Sequence, residues 1–184
     1  ARHGLRVSAV GNSDSHQLLF EEAGYPRTWL RVAPGPAETL QARAIDALRA
    51  GRTAVSSGPI VEVRVGEASA GDTTVVRAPS AIVHVRVVAP AWVPVERIEL
   101  WRDDQVVARA TATRDADGLR YEGDFTVSLH ADAMLSAWAE ATRPLPDVMP
   151  YTDARAIGFS GPLWVDHNGD GRVQIPPAGP SPTE

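Results

Sequence analysis

Asp14 and His16 stand two positions apart at the end of the apolar run Val7-Ser8-Ala9-Val10, in the stretch V-S-A-V-G-N-S-D-S-H. A carboxylate and an imidazole so placed are suitable donors for one divalent transition ion, Zn, Mn or Fe. If the run is a β-strand, residues two apart leave it on the same side, which brings both donors together. The pair has little company. No His-x-His, His-x-x-Glu or cysteine cluster exists to complete a metal shell, and a plain polar strand end is the competing reading.

A second constellation lies near the other end, at Asp166-His167-Asn168-Gly169-Asp170-Gly171. Its D-x-N-x-D-G spacing matches the first half of a calcium loop, in which alternate side chains and a glycine turn wrap a hard cation. Asp166, Asn168 and Asp170 would then be side-chain ligands, with the Arg172 carbonyl beside them. Pro177 stands where such a loop carries its bidentate Glu, and no helical pattern flanks the stretch, so an EF-hand is excluded. The other reading is a turn closing the last strand. Arg27 is a third candidate, as a guanidinium for an anionic substrate group or as a surface partner of Glu21 or Glu22. Trp92, Trp101, Trp138 and Trp164 raise the question of sugar stacking; in a sandwich such residues mostly pack, and Trp92, between prolines, is the one read as exposed. His84 and His130 read as surface residues on strand faces.

The elements that must hold these residues fall into two parts. Residues 5–11 read as a buried strand and Tyr25–Val32 as another short one. Over 37–50 the period changes to that of a helix, with Leu40, Ala44, Ile45 and Leu48 on one face, Pro36 at its start and Gly51 as its stop. After Ser56-Ser57-Gly58-Pro59 the chain alternates like strands almost to its end. Val61/Val63/Val65, Val83/Val85/Val87, Ile98/Leu100, Tyr121/Phe125/Val127 and Leu135/Ala137/Ala139 carry the pattern. Turn signals at Gly71-Asp72, Pro90, Asp103-Asp104, Asp115–Gly118 and Pro144–Pro146 separate the runs. The fold class expected is therefore mainly β: an immunoglobulin-like antiparallel β-sandwich over 58–175, preceded by a small α/β segment over 1–57. A Pro-rich tail over 176–184 reads as disordered.

Composition narrows the chemistry. All eighteen basic residues are Arg, so Schiff-base, Walker-type and Ser–Lys lysine chemistry is excluded. With no Cys, thiolate ligands, disulfides and Cys nucleophiles are excluded as well. No Gly-x-Ser-x-Gly elbow occurs. A net charge of −5 without a basic block argues against nucleic acid, and no run is long enough to span a membrane. The chain reads as soluble, with cytoplasm and export both open. Because it opens Ala1-Arg2-His3-Gly4, its N-terminus reads as cut from a larger protein or processed.

G-N-S-D-S-H, followed by G-Y-P-R-T-W and by a helix ending R-A-G-R-T-A-V-S-S-G-P, resembles the end of a PHP (polymerase and histidinol phosphatase) metallohydrolase of the carbaryl-hydrolase-like branch. The likeness is concentrated in residues 11–59. It implies that residues 1–57 are the last elements of a distorted (β/α)₇ barrel, with Asp14 and His16 as the last ligand motif of a multinuclear metal site. It also implies an upstream barrel segment as partner and a small-molecule substrate for hydrolysis of a phosphoester, ester or carbamate. The ligands that such barrels carry earlier are not in this sequence, so this chain alone is expected to be inactive. The alternative is a non-catalytic β-sandwich that binds a carbohydrate or a protein.

Overall fold

Residues 6–17, 19, 21, 24–113 and 117–175 are described by the structure, a computed structural model. Much of the chain from Ile60 to Asp166 alternates apolar and polar residues with period two, and together with two strands that precede it this stretch forms two facing sheets. One contains β1 (Arg27–Leu30), β2 (Thr53–Ser56), β5 (Thr73–Val75), β7 (Val95–Arg102), β8 (Gln105–Thr111), β10 (Ala133–Pro144), β11 (Arg155–Ser160) and β12 (Leu163–Asp166). The other contains β3 (Ile60–Val65), β4 (Ala68–Ser69), β6 (Ser80–Val88) and β9 (Leu119–Ser128), in the order β4-β3-β6-β9.

In the larger sheet β10 is the spine. Along one edge it pairs β7, which pairs β8; along the other it pairs β11 through one half and β12 through the other. β2 continues the sheet beyond β11, and β1 ends it. Every described pairing is antiparallel except β5 with β12. The mainly β, largely antiparallel sandwich expected from the alternation is therefore present.

The core lies between the sheets because each strand sends every second side chain inward. Val61, Val63, Val83, Val85 and Val87 meet Ile98, Leu100, Leu135, Leu163 and Val165, all at 2% exposure or less. β10 offers mostly Ala to this core, at 133, 137, 139 and 141. Small residues on the spine leave volume for branched ones opposite, as close packing requires. The same alternation sends Trp138 outward. It lies over Phe159, its cross-strand partner on β11, with ring centroids 5.3 Å apart and planes 6° from parallel. Trp138 is structural, as expected, but through this pair and not through the alanine face beside it.

The N-terminal part departs from expectation at one element. Residues 6–16 carry no strand, and Val7 and Val10 are 67% and 60% exposed, so the buried strand expected at 5–11 is not formed over the described residues. A parallel barrel strand is held by neighbours on both edges; here the segment is tied at single points. The Thr28 hydroxyl accepts the Gly11 N–H and donates to the Gly11 carbonyl, both at 2.9 Å, and Ser8 donates to the Leu48 carbonyl. Gly11 passes so close to the sheet that a Cβ would lie 2.6 Å from Val55 Cγ1.

The helix forms as α1 (Leu40–Arg49), after a short 3-10 turn at Ala37–Thr39, and stops at Gly51 with φ 73°. Its apolar face is not covered. Leu40, Ile45 and Leu48 are 53%, 41% and 37% exposed, while Ala47 is the buried residue of the helix. Asp72, in the turn between β4 and β5, latches this part to the sandwich: its carboxylate takes Arg31 at 2.8 Å and lies 3.4 Å from Arg52 Nε. Burial pushes the Asp72 carboxyl up, but the Ser69 N–H, the Arg31 hydrogen bond and the charges of Arg31 and Arg52 outweigh it. The net effect holds it below the ordinary carboxylate value.

Candidate functional site

Asp14 and His16 are brought together by a turn and not by strand alternation. Asp14 has φ 51°, a left-handed conformation that Asp tolerates better than most residues, and its N–H donates to Asn12 Oδ1. Beyond it, Glu21 accepts the N–H groups of His16 and Gln17, the latter at 3.0 Å. These bonds curl residues 12–17 so that His16 Nε2 lies 3.9 Å from Asp14 Oδ1. Both side chains are open to solvent, at 74% and 88%. Two donors that close can share one ion, whose ligand distances are about 2.0–2.2 Å. Among the described residues no group of three or more His, Asp or Glu gathers to hold a metal. The donor set fits part of a metal shell, not a whole one.

Arg27 opens β1, with its carbonyl beside Gly11. Its Nε donates to the Gly24 carbonyl at 2.8 Å, and its guanidinium lies 4.5 Å from the centre of the Tyr25 ring. The surface pairing weighed for it with Glu21 is not what holds it, because Glu21 is engaged by the backbone at 16 and 17; Glu22 lies outside the described residues. An exposed guanidinium face on an aromatic ring remains free to meet an anion.

The Asp166 loop is built around its own backbone. Asp166 is 1% exposed, and its two carboxylate oxygens accept the N–H groups of Gly169 at 2.6 Å and Gly171 at 2.8 Å. Asn168 Oδ1 accepts the Asp170 N–H, Asp170 accepts the Arg172 N–H, and the Asn168 amide reaches Asp170 Oδ2 at 3.2 Å. Asp132, from the approach to β10, clamps the loop by accepting the N–H groups of His167 and Gln174. Gly169 and Gly171 take φ of 75° and 82°, which the turn requires. Asn168 and Asp170 thus meet, Asp166 turns both carboxylate oxygens to the loop's own N–H groups, and these bonds close the loop. The 176–184 tail lies outside the described residues.

Other expected residues are placed apart. His84 is half-buried on β6 between Asp124, 2.8 Å from its Nδ1, and Glu122, 3.3 Å from its Nε2. His130 is exposed, and it follows the end of β9 instead of lying on a strand face. Trp92 is 49% exposed, as read, and Trp164 is 3% exposed beneath Arg6.

Two surfaces were not expected. On the outer face of the larger sheet, Arg97, Arg109 and Arg155 surround Glu99 and Glu140, which are 8% and 15% exposed. Strand register assembles this array from β7, β8, β10 and β11; no local motif announces it. Trp29, 45% exposed, lines a groove of about 480 Å³ between β1–β2 and β3–β4. Its one signal in the sequence is Trp29 within the short strand expected over Tyr25–Val32.

No protein-family model and no curated protein matches the chain. Among solved structures, one described as an engineered protein is similar over 59% of this chain, at 13% identity and a TM-score of 0.33. The similar part spans about a fifth of that protein's length, since 20% of it is covered. No helix among the described residues is long and apolar enough to cross a membrane.

Proposed function

We propose that this chain is the C-terminal part of a metal-dependent hydrolase of the PHP type, with Asp14 and His16 as one ligand pair. The observation that supports the reading is their juxtaposition: a carboxylate and an imidazole 3.9 Å apart, both solvent-open, on a segment beside uncovered apolar surface. A Zn, Mn or Fe ion held there would supply an activated water for hydrolysis of a phosphoester, ester or carbamate. Asp14 contributes negative charge that favours the cation, and His16 a neutral nitrogen donor. Arg27, the residue before Thr28 on β1, would orient an anionic substrate group. Val7, Val10, Ile45 and Leu48 would be covered by the preceding barrel segment, which brings the missing ligands. In this reading the sandwich is an immunoglobulin-like accessory to the barrel.

Titration of the chain with zinc, followed by calorimetry, tests the ligand assignment. Binding weaker than about 10 µM that disappears in His16→Ala supports it. Tight binding that survives His16→Ala overturns it. A His-x-His motif in the polypeptide encoded ahead of Ala1 would support the barrel assignment, and its absence would remove it.

Calcium at Asp166, Asn168 and Asp170 is a second proposal, supported by the D-x-N-x-D-G spacing and by the contact of Asn168 with Asp170. A melting temperature that rises with calcium and falls with a chelator supports it. An unchanged one leaves the loop a hydrogen-bonded turn.

A further inference from the structure

The groove lined by Trp29 lies on the opposite side of the sheet from the Asp14–His16 segment. Thr28 holds Gly11 through its hydroxyl, and Trp29, the next residue of β1, must point the other way. Directly across from Trp29 on β2 is Ala54, whose small side chain leaves the indole uncovered. Trp29 and Ala54 make an apolar floor, walled by β3, and the volume of about 480 Å³ is within the range of small-molecule sites, roughly 300–1,000 Å³.

Charge and edges narrow the occupant. The lining includes Arg31, Arg52 and Arg64 against Glu62 and Glu67. Asp72 takes Arg31 and Arg52, while Glu62 lies 3.9 Å from Arg64. Such a rim offers donors and acceptors but almost no net charge, so it suits neither an acidic nor a basic ligand. β3 pairs β6 along Ile60–Arg64 but β4 only at Arg64 and Val65, so over 60–63 its other edge has no described strand partner, and an extended peptide is the competing occupant that the test must exclude. The side chains favour a flat ring: an aromatic face on the floor and hydrogen-bonding groups above it. A pyranose ring has that complementarity, with C–H groups on its face and hydroxyls around its rim.

We propose that this groove binds a neutral oligosaccharide, with Trp29 as the stacking platform and Glu67 and Arg64 as hydrogen-bonding partners. The site is independent of the metal pair and goes beyond the hydrolase reading.

The test titrates the chain with uncharged tetrasaccharides of β-1,4-glucose, xylose and mannose, to about 10 mM each, by calorimetry and amide chemical-shift mapping. Binding of at least one, with shifts confined to β1–β4, is expected. Trp29→Ala should weaken it at least tenfold, Glu67→Gln should weaken it less, and Trp92→Ala should leave it unchanged. Unaltered dispersion of the sandwich amides shows that Trp29→Ala is folded. Three outcomes overturn the proposal: no binding by any of the three sugars, binding indifferent to Trp29, or shifts at β1 with an extended peptide and none with sugar. Loss of binding in Asp14→Ala would overturn the claimed independence from the metal pair.

Discussion

Residues 6–57 and the sandwich that follows use similar amounts of apolar side chain to opposite effect. In the sandwich, β3, β6, β7, β10 and β12 turn their Val, Ile and Leu residues onto one another, and their polar alternates take the solvent. In the first part, Ala47 and Val55 are the two members among the buried apolar residues. Seven of the eleven exposed large apolar side chains described belong to it: Val7, Val10, Leu19, Trp29, Leu40, Ile45 and Leu48. The sandwich closes its core with its own residues. The first part joins the sandwich through the β2–β11 ladder and through Asp72 on Arg31 and Arg52, and its opening residues are tied to β1 and β2 at Thr28 and Val55. Its helix and apolar run have the sequence of elements that pack on both sides, and here they have one.

That contrast can be broken or sharpened by measurement. Leu135→Ala, at a position of 0% exposure, should cost about 2–5 kcal/mol in a urea titration, since a cavity between the sheets cannot collapse. A cost under about 1 kcal/mol would show that the sandwich core is not the stabilising unit. Thr28→Val should cost about 1 kcal/mol and speed amide exchange at residues 8–13 while leaving β6 and β10 protected. Equal loosening of both parts would mean that they unfold together.

The Asp72 latch should show in acid. Its carboxyl titrates lower in the folded chain than in the unfolded one, so the stability it contributes is fully present above the ordinary value of 3.8. As pH falls below that value and through the folded one, that stability is lost. Asp72→Asn should remove this part of the acid slope, an effect of about 0–1 kcal/mol given its partly exposed partners. The smallest effect is expected on the uncovered helix face, where Ile45→Glu should change stability by less than about 0.5 kcal/mol and reduce self-association in sedimentation. A large destabilisation there would mean that the face is packed within this chain.

Much of the sandwich was legible because a half-buried strand writes its burial into alternate residues. β3, β6 and most of β10 follow that pattern residue by residue, whereas in β7 the arginine array buries Glu99 between Ile98 and Leu100; the Asp103-Asp104 turn joins β7 to β8 as its composition implies. Helix α1 was legible in position and not in environment: periodicity shows that Leu40, Ile45 and Leu48 share a face but not whether anything covers it. The strand expected at 5–11 failed for the same reason. Val7 and Val10 supply strand-forming side chains, while a strand also needs neighbours to bond, and residues 6–11 meet them at single atoms.

The sequence by itself determined which chemistries this chain can offer. Without Lys or Cys, its reactive and ligating side chains are carboxylates, imidazoles, guanidiniums, hydroxyls, amides and indoles, and Asp14, His16 and the Asp166 loop are set by local spacing of a few residues. Tertiary structure alone decided what those groups meet. Register across four strands built the Arg97–Arg109–Arg155 array, and the meeting of β1–β2 with β3–β4 made a groove at Trp29. Local turns depend on nearest neighbours along the chain, and so can be read from it. A surface assembled from distant strands depends on the register between them, which no short stretch of sequence encodes.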